Sequence, residues 1–196
     1  MKAKKVWIFS LAVFVTVFSL SLHSNKIVET GDLTQTEIDQ IDMEETYPAA
    51  LGSLAVCYDN LDNIVDDADV IVYGTPQNSN VVNLEGFSQT HTIFTISEVI
   101  KGSLNINDEI EIIEEGGYKN TVAGGIPKLT ASNSYVLFLL EYEGSYYVCG
   151  AFQGRFVEKS GYLFQQATED VKLNRSAYTP IKAEDFINEI KAITEY

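Results

Sequence analysis

The sequence predicts a mainly β (α+β) domain: a small, twisted barrel of five to six strands, with one helix before it and one C-terminal helix. Three observations carry this. Runs of β-branched and aromatic residues recur between residues 70 and 165, separated by glycine or asparagine breaks. Glycines interrupt the later runs, as bulges and tight bends of a small closed sheet require. Stretches of helical periodicity flank the strands on both sides. A sandwich is the alternative architecture.

The first helix is expected in YDNLDNIVDDAD, where Leu61, Ile64, Val65 and Ala68 fall at i, i+3, i+4 and i+7. Asp59 is placed to cap it, and the early acids suit the positive end of the helix dipole. A calcium loop is the competing reading of so many aspartates, but the EF-hand spacing, its turn glycine and its final Glu are missing. VIVYG (70–74) is a short strand closed by Gly74, Pro76 and Asn78. THTIFTISEVIK (90–101) is a long one stopped by Gly102. EIEIIE (109–114) alternates acid with isoleucine, as a strand with one wet face does. YVLFLLEY (135–142) is almost continuously apolar, as expected of a strand covered on both faces. Glu143-Gly144 then turns the chain into the strand 146–149. Gly150 and Gly154 kink GAFQGRFVE, and Gly161 precedes the strand 162–165. The last helix, 183–194, puts Phe186, Ile187, Ile190 and Ile193 on one face. The stretch 116–130 (GGYKNTVAGGIPKLT) is too poor in helix formers to be a helix and reads as a loop.

Ahead of this domain lie two segments of different character. Lys2, Lys4 and Lys5 precede an uncharged run of 17 residues, VWIFSLAVFVTVFSLSL (6–22), the pattern of an export signal. Residues 1–24 are therefore expected to be a signal peptide or an N-terminal membrane anchor, the run fitting either. No Cys follows it to take a lipid. Residues 25–48 carry seven acids against Lys26 alone and read as an acidic linker. Residues 49–196 form the barrel domain with its C-terminal helix. The net charge of −15 becomes −18 once the three leading lysines are set aside. Such acidity argues against nucleic acid as a partner, because a backbone-tracking binder needs clustered Lys and Arg.

Four phrases, ADVIVYG (68–74), TISEVIKG (95–102), YVLFLL (135–140) and GAFQGRF (150–156), resemble a group of secreted proteins, mostly of Gram-positive bacteria. Their order is also similar to the OB-type barrel of netrin-like domains, including tissue inhibitors of metalloproteinases. The resemblance spans residues 55–160 and implies an OB-like fold and a non-catalytic habit. It does not carry over protease inhibition. The inhibitors use an N-terminal Cys to chelate zinc and hold several disulfides, and this chain has neither.

Beyond residues 1–24, His91 is the only histidine. A serine triad would need it, with Ser88 or Ser97, but no G-x-S-x-G elbow is present and His91 lies in a strand-like run. His91, Cys57 and Cys149 lack the spacing of a zinc site, so neither a metal nor a cofactor is expected. The carboxylate pairs Glu109/Glu111, Glu114/Glu115 and Glu141/Glu143 read as wet faces of strands. In an oxidising compartment Cys57 and Cys149 make a possible disulfide, closing a loop of roughly 90 residues worth about 4–5 kcal/mol in the chain-entropy model. Two buried thiols are the alternative. Gln153 and Arg155, flanking Gly154, are candidate binding residues. Arg155 either pairs with a carboxylate of its own chain or recognises a carboxylate or phosphate on a partner. Tyr118, in the 116–130 loop, is the third candidate, since loops on a rigid barrel commonly carry binding. An exposed ladder of Tyr135, Tyr142, Tyr146, Tyr147 and Tyr162 is a further reading of the eleven tyrosines.

Taken together, the sequence points to an exported, non-enzymatic binding module, secreted or anchored with its domain outside the cell. Its expected partner is a protein or cell-envelope component, and the membrane is touched only through the N-terminal segment. The alternative is a secreted hydrolase using His91 or a carboxylate pair.

Overall fold

The computed structural model describes residues 34, 36–37, 40, 49–50, 56–84, 87–117, 122–123, 128–167, 173 and 180–195. The expected export segment and most of the acidic linker lie outside these residues, as does Tyr118. Within the linker, Thr34 and Glu37 form a capping box. The Thr34 amide and hydroxyl both donate to the Glu37 carboxylate (2.8 and 2.7 Å), holding its pKa below the ordinary carboxylate value.

The expected first helix is α1, Leu61–Asp67, and it buries Leu61, Ile64 and Val65. Its cap is Asn60 rather than Asp59: the Asn60 side-chain oxygen accepts the Asn63 amide at 2.9 Å. The reason is positional, because the capping side chain must immediately precede the first helical residue, here Leu61. At the other end Lys101 reaches over from the sheet and donates to the Val65 and Asp66 carbonyls (2.7 and 3.1 Å). These carbonyls have no partner within the helix, and a lysine there also meets the negative end of the dipole.

The strands are β1 (Ala49–Ala50), β2 (Val70–Leu84), β3 (Phe87–Lys101), β4 (Glu109–Glu115), β5 (Val122–Ala123), β6 (Ser134–Tyr142), β7 (Ser145–Val148), β8 (Arg155–Lys159), β9 (Tyr162–Gln165) and β10 (Ile181–Lys182). A C-terminal helix, α2 (Ala183–Thr194), follows. Eight strands share one sheet in the order β10-β9-β8-β6-β2-β3-β4-β7, and a β6–β7 pairing closes five of them into a ring. In that ring every contact is antiparallel except β4 against β7, which pair in parallel at Ile112 and Tyr146. The mainly β, OB-like barrel with a helix on either side in sequence is therefore the fold observed.

Period-two patterning explains how β6 serves two cores at once. Tyr135, Leu137 and Leu139 point into the ring, where they meet Val72, Phe94, Ile96, Ile112 and Val148. Val136 and Phe138 point outward to Ile64, Phe156, Phe186 and Ile190 beneath the two helices. Phe138, Phe156 and Phe186 form an aromatic trio with ring centroids 4.7–6.3 Å apart. The hairpin turn after β6 has Glu143 at φ 51° and Gly144 at φ 81°, the left-handed pair that a two-residue hairpin needs.

Three expectations are corrected. The strand that begins at Val70 runs on to Leu84, because Gly74 and Pro76 bend and bulge it without ending it. Its register against β3 shifts at Tyr73/Gly74 and again at Pro76/Ser79. A Cβ on Gly74 would lie 2.1 Å from the Thr95 carbonyl oxygen, so only glycine permits this bend. Next, Gly150–Gly154 is a turn between strands and not a kinked strand, with Gly154 N–H bonded back to the Cys149 carbonyl at 2.9 Å. Finally, the 116–130 stretch contains β5, whose parallel partner is β1. That pairing joins residues more than 70 positions apart, which no local pattern announces.

Candidate functional site

The turn before β8 aims two polar side chains inward. Gln153 has no exposed surface. Its Oε1 accepts the Tyr58 amide (2.9 Å) and its Nε2 donates to the Tyr58 carbonyl (3.0 Å). A side-chain amide thus stands in for a strand, satisfying both backbone groups of the residue that leads into α1. The Gln153 carbonyl in turn accepts from Gln165 Nε2 at 2.7 Å.

Arg155, two residues on, is 1% exposed. Its Nη1 lies 2.5 Å from Glu114 Oε1, its Nε donates to Gln166 Oε1 at 2.8 Å, and its guanidinium carbon is 5.8 Å from the Tyr135 ring centroid. The other Glu114 oxygen accepts the Leu129 amide at 3.4 Å. The charge pair sits where an ion without a partner would cost several kcal/mol, and its hydrogen bonds to Gln166 and Leu129 offset its desolvation. Around Tyr135 the network continues. The Thr130 amide donates to the Tyr135 hydroxyl (3.1 Å), Asn133 Nδ2 donates to Thr130 Oγ1 (2.7 Å), and Lys159 Nζ donates to Asn133 Oδ1 (2.6 Å). Lys128 donates to the Glu115 carbonyl. Burial pushes the Lys128 pKa down, against the pull of Glu114 and with the push of Arg155.

The chain on either side of residues 118–127 is fixed by this arrangement. On the outgoing side, the Gly116 amide donates to the Ser88 carbonyl (2.7 Å) and Thr90 Oγ1 donates to the Gly116 carbonyl (2.8 Å). On the returning side, the Leu129 and Thr130 amides are held by Glu114 and Tyr135. These polar groups anchor the described residues on both sides of 118–127.

Of the candidates, Gln153 and Arg155 are both buried and bonded to their own chain, Gln153 to Tyr58 and Arg155 to Glu114 and Gln166. Glu114 is the residue that sequence reasoning missed. The sequence assigns it to the wet face of a strand, but it is 8% exposed. Its signal is the unbroken period-two alternation: Glu114 shares the parity of the buried Ile110 and Ile112, while Ile113 takes the outward side with Glu109 and Glu111. Glu111 does lie on the wet face, and its carboxylate is 3.1 Å from His91 Nδ1. The other ring nitrogen of His91 is buried with no hydrogen-bond partner among the described residues. Ser88 is an odd number of positions from His91 along β3 and so faces the other way; its hydroxyl donates to Asn83. Tyr135, Tyr146 and Tyr162 are buried, and Tyr142 is exposed at the hairpin.

The two cysteines are free thiols, Cys57 exposed and Cys149 buried. Burial pushes the Cys149 thiol up to about 12, partly opposed by a hydrogen bond with Tyr58. Among the described residues no group of three or more His, Cys, Asp or Glu is arranged to hold a metal ion, and no helix is long and apolar enough to cross a membrane. Compared with models of known families, with curated proteins and with solved structures, the chain matches none.

Proposed function

We propose that this protein is an exported, non-enzymatic binding module, acting at the outer face of the membrane or in the extracellular space. The observation that carries the reading is the anchoring of the chain on both sides of the Tyr118 segment. A glycine-rich segment bearing Tyr118 leaves the barrel at Gly116 and returns at Leu129, and both ends are hydrogen-bonded to buried or half-buried residues of the ring. A loop on fixed ends loses less entropy on binding than a free one, which is why rigid barrels carry recognition on their loops. Export is supported by the basic start and apolar run, and the resemblance to secreted proteins agrees with it. The acidity of the domain favours a cationic protein or envelope component as partner.

The test is capture from a cell-envelope fraction by the full chain, with Tyr118→Ala as control. Capture that falls with added salt and is lost in the variant is the expected result. Equal capture by both chains removes the loop from the proposal.

A second reading, a secreted hydrolase, is favoured by one observation: the His91–Glu111 pair, in which a carboxylate holds one imidazole nitrogen and the other bonds to nothing described. That is half of a general-base arrangement. Hydrolysis of any substrate that His91→Ala leaves at full rate would eliminate this version.

A further inference from the structure

We propose that the outer half of β2 is a self-pairing edge, along which two copies of this chain join strand to strand. Strand β2 is paired with β3 from Ile71 to Leu84 except at the bulge of residues 77–78, but with β6 only over Val70–Gly74. Beyond Gly74 no strand among the described residues occupies its other edge. The run 79–84 keeps regular register with β3, and Val81 and Leu84 are exposed there (39% and 43%). An edge of this kind presents a row of backbone donors and acceptors to any further strand.

Monomeric proteins usually block such edges with lysine, inward-pointing charge or proline. Here the only device of that kind is Pro76, which lies at the bulge ahead of the regular run. From Val70 to Leu84 there is no Asp, Glu, Lys or Arg, in a chain whose net charge is −15. This absence selects the occupant. A twofold contact brings each surface against itself, so at almost any other place it would set carboxylate against carboxylate. Along residues 76–84 it brings only uncharged residues together. A cationic partner would choose the aspartates of α1 or the acidic face of β4 instead. An antiparallel pairing of identical strands is self-complementary, and centred on Asn80 it sets Asn80 opposite its own copy and Ser79 opposite Val81. This inference does not rest on the proposed binding role, and a catalytic protein would dimerise in the same way.

Sedimentation velocity of the full chain in a mild detergent tests it, using wild type, Asn80→Lys, Asn80→Asp and an equimolar mixture of the two variants. Asn80 is exposed, so all three chains should melt together. The expected result is a reversible monomer–dimer equilibrium in the wild type. Each charged variant should weaken it by roughly tenfold or more, because like charges meet across the pair, and the mixture should restore it. Recovery in the mixture also shows that both variant chains are folded. A wild type that stays monomeric at the highest concentration reached, or a dimer that both variants leave intact, overturns the proposal.

Discussion

At the scale of single residues, the arginine in GAFQGRF is the most informative side chain of the chain, and its role depends on a carboxylate 41 positions away. Arg155 and Glu114 are each held by the other, so removing one is worse than removing both. Arg155→Met should destabilise the protein by about 3–5 kcal/mol, since it leaves Glu114 charged and unpaired beneath Leu129. Arg155→Met combined with Glu114→Leu should recover most of that loss. Urea unfolding of the two variants measures the difference, and equal losses would show that the pair is not coupled. The presence of an arginine with work to do is legible in the sequence, because basic residues are scarce in it. Its partner is not, because a dozen other carboxylates fit the same description and only the register of β4 turns Glu114 inward.

Cysteine reactivity follows from burial in the same way. Native protein should take one alkylating label, at the exposed Cys57, and unfolded protein two. Mass spectrometry without reductant reads this directly, and a native or unfolded chain that takes none would mean the two are bridged. Because burial holds the folded Cys149 thiol up to about 12, above its ordinary value of 9.0, the folded state binds more protons than the unfolded one between those values. Stability contributed by this thiol is therefore fully present below pH 9 and is lost as pH rises toward 12. Cys149→Ala should flatten that part of the stability–pH curve.

At the scale of elements, the helices and the central strands are readable from periodicity, and the deviations are readable only from pairing. The i, i+3, i+4 spacing places α1 and α2 because the buried face of a helix repeats every 3.6 residues. The unbroken apolar run of β6 shows a strand covered on both sides, and the structure supplies the two covers: the ring interior and the helices. The glycine and proline after Val70–Tyr73 look like an ending from sequence, since locally they are breakers. In the sheet they are a bend, because β3 continues alongside and supplies hydrogen bonds past the bulge. Gly74 carries that bend through its lack of a Cβ. Gly74→Ala must displace either the Thr95 backbone or the strand itself, and should cost about 1–3 kcal/mol. A fall in the thermal midpoint of several degrees is the expected measurement. An unchanged midpoint would show that the bulge relaxes freely.

At the scale of the whole molecule, two cores share one sheet, and α2 is the lid on the outer one. Phe186 joins helix to sheet through Phe138 and Phe156, so Phe186→Ala opens a cavity under the lid. A loss of about 3–5 kcal/mol is expected. If α2 were a loosely attached tail, circular dichroism melts of the variant and the wild type would coincide. The sequence by itself determined the fold class, the two helices, the strands around the continuous apolar run and the division of charge along the chain. These are local properties, written in periodicity and composition. Only the tertiary structure decided which strands close the ring, that Glu114 faces Arg155, and that Gln153 stands in for a strand at Tyr58. Each of these is a contact between residues distant in sequence. Contacts of that kind are chosen by which surfaces can be buried together, and a linear pattern constrains such choices without making them.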